Sequence, residues 1–253
     1  MTPGEFESLA RKNGKRLFNV AYRICGNRED AEDVVQQALE RAFRSLSAFR
    51  GESEPATWVH RIVVNEALRR KGSVNHKYVD SLLDAAEKLE TEIPDEARML
   101  LQDPAEATAQ RELVRTIREA CLHFSTFTLS AEQRVVYVLR VAFDFSNKEI
   151  AEICQISVGT VKSRLHRARE NLKRVFFRDC SWLHPNGSCS CERRFGVAFA
   201  LKPDILRITR EIAATGMNGD LEDDQVGPFP DIDKLYQSVR AEAFDPSQLR
   251  IEV

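Results

Sequence analysis

The side chains best suited to chemistry crowd into residues 146–174, SNKEIAEICQISVGTVKSRLHRARENLKR. Between residues 157 and 178 stand seven bases (Lys162, Arg164, Arg167, Arg169, Lys173, Arg174, Arg178) against one acid, Glu170. Ammonium and guanidinium groups neutralise phosphates, and arginine can also bond guanine bidentately. The chemistry implied is recognition of DNA. Thr160, Lys162, Ser163, Arg164, His166 and Arg167 are the residues expected to face it.

Two short helices must position them. Ser146 with Glu149 forms an S-x-x-E capping box that starts the first, and Ile150 and Ile153 are its apolar face. Residues 154–156 break the pattern. Ser157 caps the second helix, and Val158, Val161, Leu165, Ala168 and Leu172 recur at helical spacing. The bases fall largely off that stripe. This is the layout of a helix-turn-helix, whose second helix enters the major groove. The bland alternative is a solvated basic helix on an ordinary bundle.

A second constellation follows. Cys180, His184, Cys189 and Cys191 lie within twelve residues, around Pro185-Asn186-Gly187. A turn there could gather them around a soft or borderline ion such as Zn²⁺ or Cu⁺. The spacing is not that of a standard zinc finger, so a thiol redox switch and unpaired cytosolic cysteines remain the alternatives. No Gly-rich phosphate loop, H-E-x-x-H pattern or nucleophile paired with a base is present, so no enzyme is expected.

The 253 residues are 43% apolar, enough for packed cores, and only 11 are Gly and 9 Pro. Strand-type alternation is scarce, and the fold class expected is all-α. The net charge of −2 conceals segregation. Residues 79–112 hold ten acids and three bases, with Pro94 and Pro104, and read as part of an acidic linker over 73–107. The first 15 residues lack the apolar core of a secretory signal, and no apolar run approaches the ~20 residues of a membrane span. A cytoplasmic protein without membrane contact is the expectation.

Residues 5–72 form a separate helical unit. Phe6, Leu9, Leu17, Val20, Ala21 and Ile24 mark one helix, ended by Gly26. Asn27 caps the next, with acids in its first turn that suit the helix dipole. Val34, Val35, Ala38, Leu39, Ala42, Phe43 and Leu46 are its core face. Pro55 opens a third, carrying Trp58, Ile62, Val63, Ala67 and Leu68.

Within this unit, residues 23–38 (Arg23-Ile24 … Asp30-Ala31-Glu32-Asp33-Val34-Val35-Gln36-Gln37-Ala38) resemble the bacterial sigma-70 family. Residues 47–65, SAFRGES…TWVHRIVVN, look like its extracytoplasmic-function (ECF, group 4) branch. The helix-turn-helix is similar to that family's −35 reader. The resemblance covers roughly residues 5–72 and 108–178.

It implies a sigma factor that binds core RNA polymerase, through the β′ clamp helices and the β flap, and reads promoter DNA. On that resemblance Asp30, Glu32, Asp33, Gln36 and Gln37 would dock on polymerase. Phe49, Arg50, Gly51, Arg61 and Asn65 would read the −10 element, with a base flipped into a pocket on the loop after Leu46. His60, Arg69, Arg70 and Lys71 are further phosphate contacts, or a solvated charge cluster. An anti-sigma factor is a partner the family allows. The rival is a stand-alone operator-binding regulator, which would usually need a dimer and a palindrome.

Residues 108–178 complete a second, four-helix unit. Leu113, Val114, Ile117, Ala120, Cys121 and Phe124 are expected inward on its first helix. Ser130, with Gln133 three residues on, caps its second. Cys25, Cys121 and Cys154 read as buried small hydrophobes. Residues 179–253, where the resemblance ends, form a Cys-containing acidic extension. Its last 36 residues carry nine acids and three bases and could fold back on the basic DNA-reading face.

Overall fold

The computed structural model describes residues 1–70, 95, 99, 102, 103, 105, 107–181, 186, 187, 189–191, 232–237 and 239. Most of the acidic linker, His184 and most of the segment after Cys191 lie outside these residues. The described elements are α1 (Pro3–Cys25), α2 (Arg28–Arg44), a 3₁₀ turn (Leu46–Ala48), α3 (Pro55–Arg70), α4 (Ala107–Ser125), a 3₁₀ turn (Thr126–Thr128), α5 (Ala131–Tyr137), a π turn (Val138–Ala142), α6 (Asn147–Cys154), α7 (Val158–Asp179) and α8 (Ile232–Gln237). Among the described residues the only extended pairing is one isolated bridge, Cys180 with Cys189. The fold is all-α, as the patterning predicts.

The described residues divide into two compact units. One holds residues up to Arg70 and from Leu129 to Glu170; the other holds the described residues between Asp95 and Thr128 and those from Asn171 to Val239.

In the first unit, local signals set every helix start. Thr2 and Glu5 make a reciprocal capping box on α1, with Pro3 at the first helical position. Gly26 ends α1 in the left-handed region at φ 93°, where a Cβ would be strained. Asn27 Oδ1 accepts the Asp30 amide at 2.8 Å and starts α2. The helices α1, α2 and α3 then pack pairwise. Phe6, Leu17, Phe18, Val20, Ile24, Val34, Val35, Leu39, Val63 and Val64 are buried between them. Each such side chain contributes roughly 1.5–3 kcal/mol over exposure.

Against this bundle sit α5, the π turn and α6. Ser130 with Gln133 and Ser146 with Glu149 form the expected capping boxes. The π turn follows α5 directly and buries Val138, Leu139 and Val141. In the second unit α4 buries Leu113, Ile117 and Leu122, and α8 packs against it with Tyr236 buried. Cys121 is exposed and Cys154 half-buried; only Cys25 of the three expected core cysteines is fully buried. On α4 the stripe is carried one residue further, by Leu122, which turns Cys121 outward.

Candidate nucleic-acid interface

The helix-turn-helix is built from α6 and α7. Gln155 turns the chain at φ 54°, and the Ile156 amide donates back to the Ala151 carbonyl at 3.0 Å. Ser157 Oγ accepts the Thr160 amide at 3.0 Å and bonds Thr160 Oγ1 at 2.9 Å. These contacts fix the start of α7 and the direction of its first turn. Val161, Leu165, Ala168 and Leu172 are buried. Lys162, Ser163, His166 and Arg167 are exposed, while Thr160 and Arg164 are half-buried beside them. All six predicted readers therefore lie off the buried stripe. Val158 departs from the expected core pattern: it is 36% exposed on the first turn of α7. It stands two residues before Thr160, where an apolar side chain can touch a thymine methyl. Its place at the first position of the stripe, before any neighbouring turn exists to cover it, is the signal that could have flagged it.

The second constellation surrounds the loop between α2 and α3. Ala48, Phe49, Arg50, Glu52, Ser53, Trp58 and Arg61 line a cavity of about 310 Å³. Phe49 is half-buried, its ring centroid 5.2 Å from that of Trp58 and tilted by 52°. Trp58 is buried and supports Phe49 from below. Gly51, between the lining residues Arg50 and Glu52, turns the loop at φ 72°, with open space where a Cβ would stand. The wall of the cavity is mostly polar, from Arg50, Glu52, Ser53 and Arg61, with Phe49 and Trp58 adding a smaller aromatic part; donors and acceptors for a base edge are plentiful, and Phe49 is the side chain that could meet a base face. Phe49, Arg50 and Arg61 are thus gathered at one opening. Asn65 lies one turn beyond Arg61 on α3, exposed, outside the lining. Glu52 and Ser53 are lining residues that the sequence reading treated only as loop.

The flanking cations behave differently from expectation. His60 is only 1% exposed, with Nδ1 2.7 Å from the Ala56 carbonyl and its ring edge-on to Phe145 at 5.0 Å. Burial pushes its pKa down to about 4, so it is a neutral packing group and no phosphate ligand. Arg70 bridges α3 to the start of α2, with Nε 2.7 Å from Asp30 and Nη2 2.7 Å from Asp33. Arg69 pairs with Glu66, which is buried and also meets Arg41 at 3.3 Å. Lys71 lies outside the described residues.

On α2, Asp33 and Gln37 are exposed and Asp30, Glu32 and Gln36 half-buried, opposite the buried Val34, Val35, Ala38 and Leu39. Asp33, Gln37, Arg41 and Arg44 are exposed at helical spacing along one face. The structure places the five predicted docking residues on this side of α2, with Asp30 and Asp33 oriented by Arg70.

At the end of α7, the backbones of Cys180 and Cys189 meet in the isolated bridge, and the Ser181 amide donates to the Cys189 carbonyl at 2.9 Å. Gly187 packs so closely on the backbone of Cys180 and Ser181 that a Cβ would come within 2.4 Å of it. Cys180, Cys189 and Cys191 are half-buried thiols. No group of three or more His, Cys, Asp or Glu side chains among the described residues is arranged to hold a metal. Nor is any described helix long and apolar enough to cross a membrane.

Comparison with known proteins matches two family models in order, sigma-70 region 2 over residues 9–74 and sigma-70 region 4 over residues 128–172. The ECF RNA polymerase sigma factor SigW of Bacillus subtilis is 35% identical over 162 residues, 63% of this chain and 82% of that protein. The RNA polymerase sigma-H factor of Pseudomonas aeruginosa is 31% identical over 170 residues, 67% of this chain and 85% of that protein. A solved structure, the sigma factor RpoE in complex with the anti-sigma factor NepR from Bartonella quintana, is 25% identical over 64% of this chain and 89% of that one, with a TM-score of 0.41.

Proposed function

Since the chain belongs to the ECF branch of the sigma-70 family, and is a sigma factor that binds core RNA polymerase to direct promoter-specific initiation, we propose how its residues divide that work. The exposed side of α7 reads the −35 element, with Arg164 and Arg167 on base edges or phosphates and Lys162, Ser163, Thr160 and His166 around them. The cavity behind Phe49 takes an unstacked base of the −10 element. Arg50 and Arg61 hold the adjoining phosphates, and Asn65 contacts a neighbouring base edge from α3. The face of α2 bearing Asp33 and Gln37 docks on polymerase. Phosphodiester chemistry belongs to the polymerase; this chain contributes binding and strand separation.

The observation that supports this reading best is the joining, in one chain, of a capped helix-turn-helix with an exposed basic face and a distinct polar cavity of about 310 Å³ edged by Phe49 and Trp58. An operator-binding regulator uses the first and has no need of the second. Melting exposes bases, and an open cavity lined by Phe49, Arg50 and Arg61 gives an unpaired base somewhere to go.

The test is a comparison of two variant sets in complex with core polymerase. Phe49→Ala with Asn65→Ala should lower initiation by at least tenfold while leaving binding to a −35 duplex within twofold. Arg164→Ala with Arg167→Ala should do the reverse at the duplex. Equal loss of −35 binding in both sets would refute the division of labour.

The extension after Asp179 is proposed to be regulatory through its thiols or a bound soft metal ion. The backbone bridge between Cys180 and Cys189, both thiols, keeps the two residues on adjoining stretches of chain, and on that we favour thiol chemistry between them.

A further inference from the structure

The acidic start of α2 is held by a short relay of side chains. Arg70, the last residue of α3, reaches it across 40 residues of sequence. From one edge of its guanidinium, Nε donates to Asp30 Oδ1 at 2.7 Å and Nη2 donates to Asp33 Oδ2 at 2.7 Å. The other oxygen of Asp30, Oδ2, accepts from Asn27 Nδ2 at 2.6 Å. Both oxygens of Asp30 are therefore engaged within the chain. Among the described residues Asp33 is bonded only through Oδ2. Exposure follows the same order: the side chains of Asp30 and Arg70 are 21% and 28% exposed, that of Asp33 52%.

A guanidinium is a planar fork with fixed N–H directions, so it sets the direction of the carboxylate it holds. Here the fork is itself fixed, because Asp30 is tied to Asn27 by both its side chain and its amide. Asp33 stands at the end of this relay with Oδ1 left for a donor. An acceptor ordered beforehand binds a partner's donor without losing the rotamer freedom of a loose side chain. A half-exposed ion pair such as the Asp33 arm adds little to fold stability, so direction is its main effect. The far end of α2 is treated alike. Glu66, buried on α3, meets Arg41 at 3.3 Å, and Arg41 lies on the same exposed face as Asp33. The charges on that face are thus set from α3 at both ends.

We propose that Arg70 is a positioning residue for polymerase docking: anchored by Asp30, it aims the Asp33 carboxylate at a hydrogen-bond donor of core polymerase. Asp30, expected from the sequence to dock, is then the anchor and not a contact. The proposal rests on the sigma-factor reading above and assigns roles within its docking face. Arg61 and Asn65 lie on the same helix as Arg70, so one fork also fixes the docking carboxylate relative to the helix proposed to meet the −10 element.

Titration of the dye-labelled full chain with purified core polymerase tests this. Arg70→Gln should weaken binding about fivefold, the scale of ordering one side chain, with helicity by circular dichroism unchanged and −35 duplex affinity within twofold. Asp30→Asn should weaken core binding by a similar factor, and the two together by no more than the larger single effect. In an Asp33→Ala background Arg70→Gln should change affinity less than twofold, because the group it aims is gone. Tighter binding by Arg70→Gln would mean that Arg70 competes with polymerase for Asp33. Multiplying losses from Asp30→Asn and Arg70→Gln would mean that each touches polymerase directly. Either result overturns the proposal, as does an Arg70→Gln effect below twofold, or an equal loss with and without Asp33. A wild-type chain that fails to bind core polymerase sinks the sigma reading itself. A wild-type chain that binds while Arg70→Gln has no effect leaves that reading standing and removes only the positioning role.

Discussion

The buried imidazole of His60 makes a quantitative prediction about pH. It lies between α1, α3 and α6, facing Arg16 and Glu149, with Phe145 against its ring and the Ala56 carbonyl on Nδ1. Burial is the largest influence and lowers its pKa; the Ala56 carbonyl pulls the other way, Arg16 lowers it further and Glu149 raises it. The outcome is about 4, against an ordinary value of 6.5. Well above pH 6.5 the imidazole is neutral whether buried or exposed, and burial carries no protonation penalty. As pH falls below 6.5 the exposed form takes up a proton that the buried form refuses, so the folded unit loses stability until the buried group itself titrates near 4. At pH 5.5 the loss is about tenfold in the folding equilibrium, a little over 1 kcal/mol. Urea unfolding of the wild-type chain, His60→Asn and His60→Phe at pH 7.5 and pH 5.5 reads it directly. Other groups titrate in all three proteins, so the difference between wild type and variants isolates this residue. Both variants should show a smaller stability loss on acidification, by about that amount. Equal losses in all three would refute the claim that His60 is buried neutral.

Further outcomes follow from particular contacts. Arg164→Ala and Arg167→Ala should each lower the slope of log affinity against log salt for a −35 duplex by about one, and an unchanged slope would remove that residue from the phosphate or base contacts. Ser157→Ala removes the cap at the start of α7 and should cost about 1 kcal/mol in urea unfolding, with duplex binding weakened as the first turn frays. Oxidised glutathione should convert the thiols of Cys180 and Cys189 to one disulfide with release of two reduced glutathiones, seen as a cross-linked peptide that Cys189→Ser abolishes. If peptide mapping finds no such link and Zn²⁺ or Cu⁺ binds at one equivalent instead, the metal alternative replaces it.

What could be seen in the sequence was whatever rests on short-range rules. Capping boxes at Ser146 and Ser130, the Asn27 cap, the Gly26 stop and the buried stripe of α7 all depend on residues within four positions. The exposed side of α7 follows as the complement of that stripe. The Thr2–Glu5 box follows the same rule, and starts α1 two residues before the expected boundary. Long-range packing was not legible. His60, read as a phosphate contact because it sits among bases, is buried by Phe145, 85 residues away in sequence. Arg70 looks like a solvated terminal base and instead holds Asp30 and Asp33 across a helix pair. The π turn at residues 138–142 has no local signature: its five residues include neither Pro nor Gly, and nothing in them marks a change of register.

The central claim is that this chain gives core RNA polymerase its promoter choice. Run-off transcription with purified core polymerase, on fragments from upstream of the chain's own gene, tests it most directly. Discrete transcripts that require the protein, and that vanish with Phe49→Ala and Asn65→Ala, are the predicted result. No transcript on any fragment, together with no retention of core polymerase in a pull-down, would contradict it.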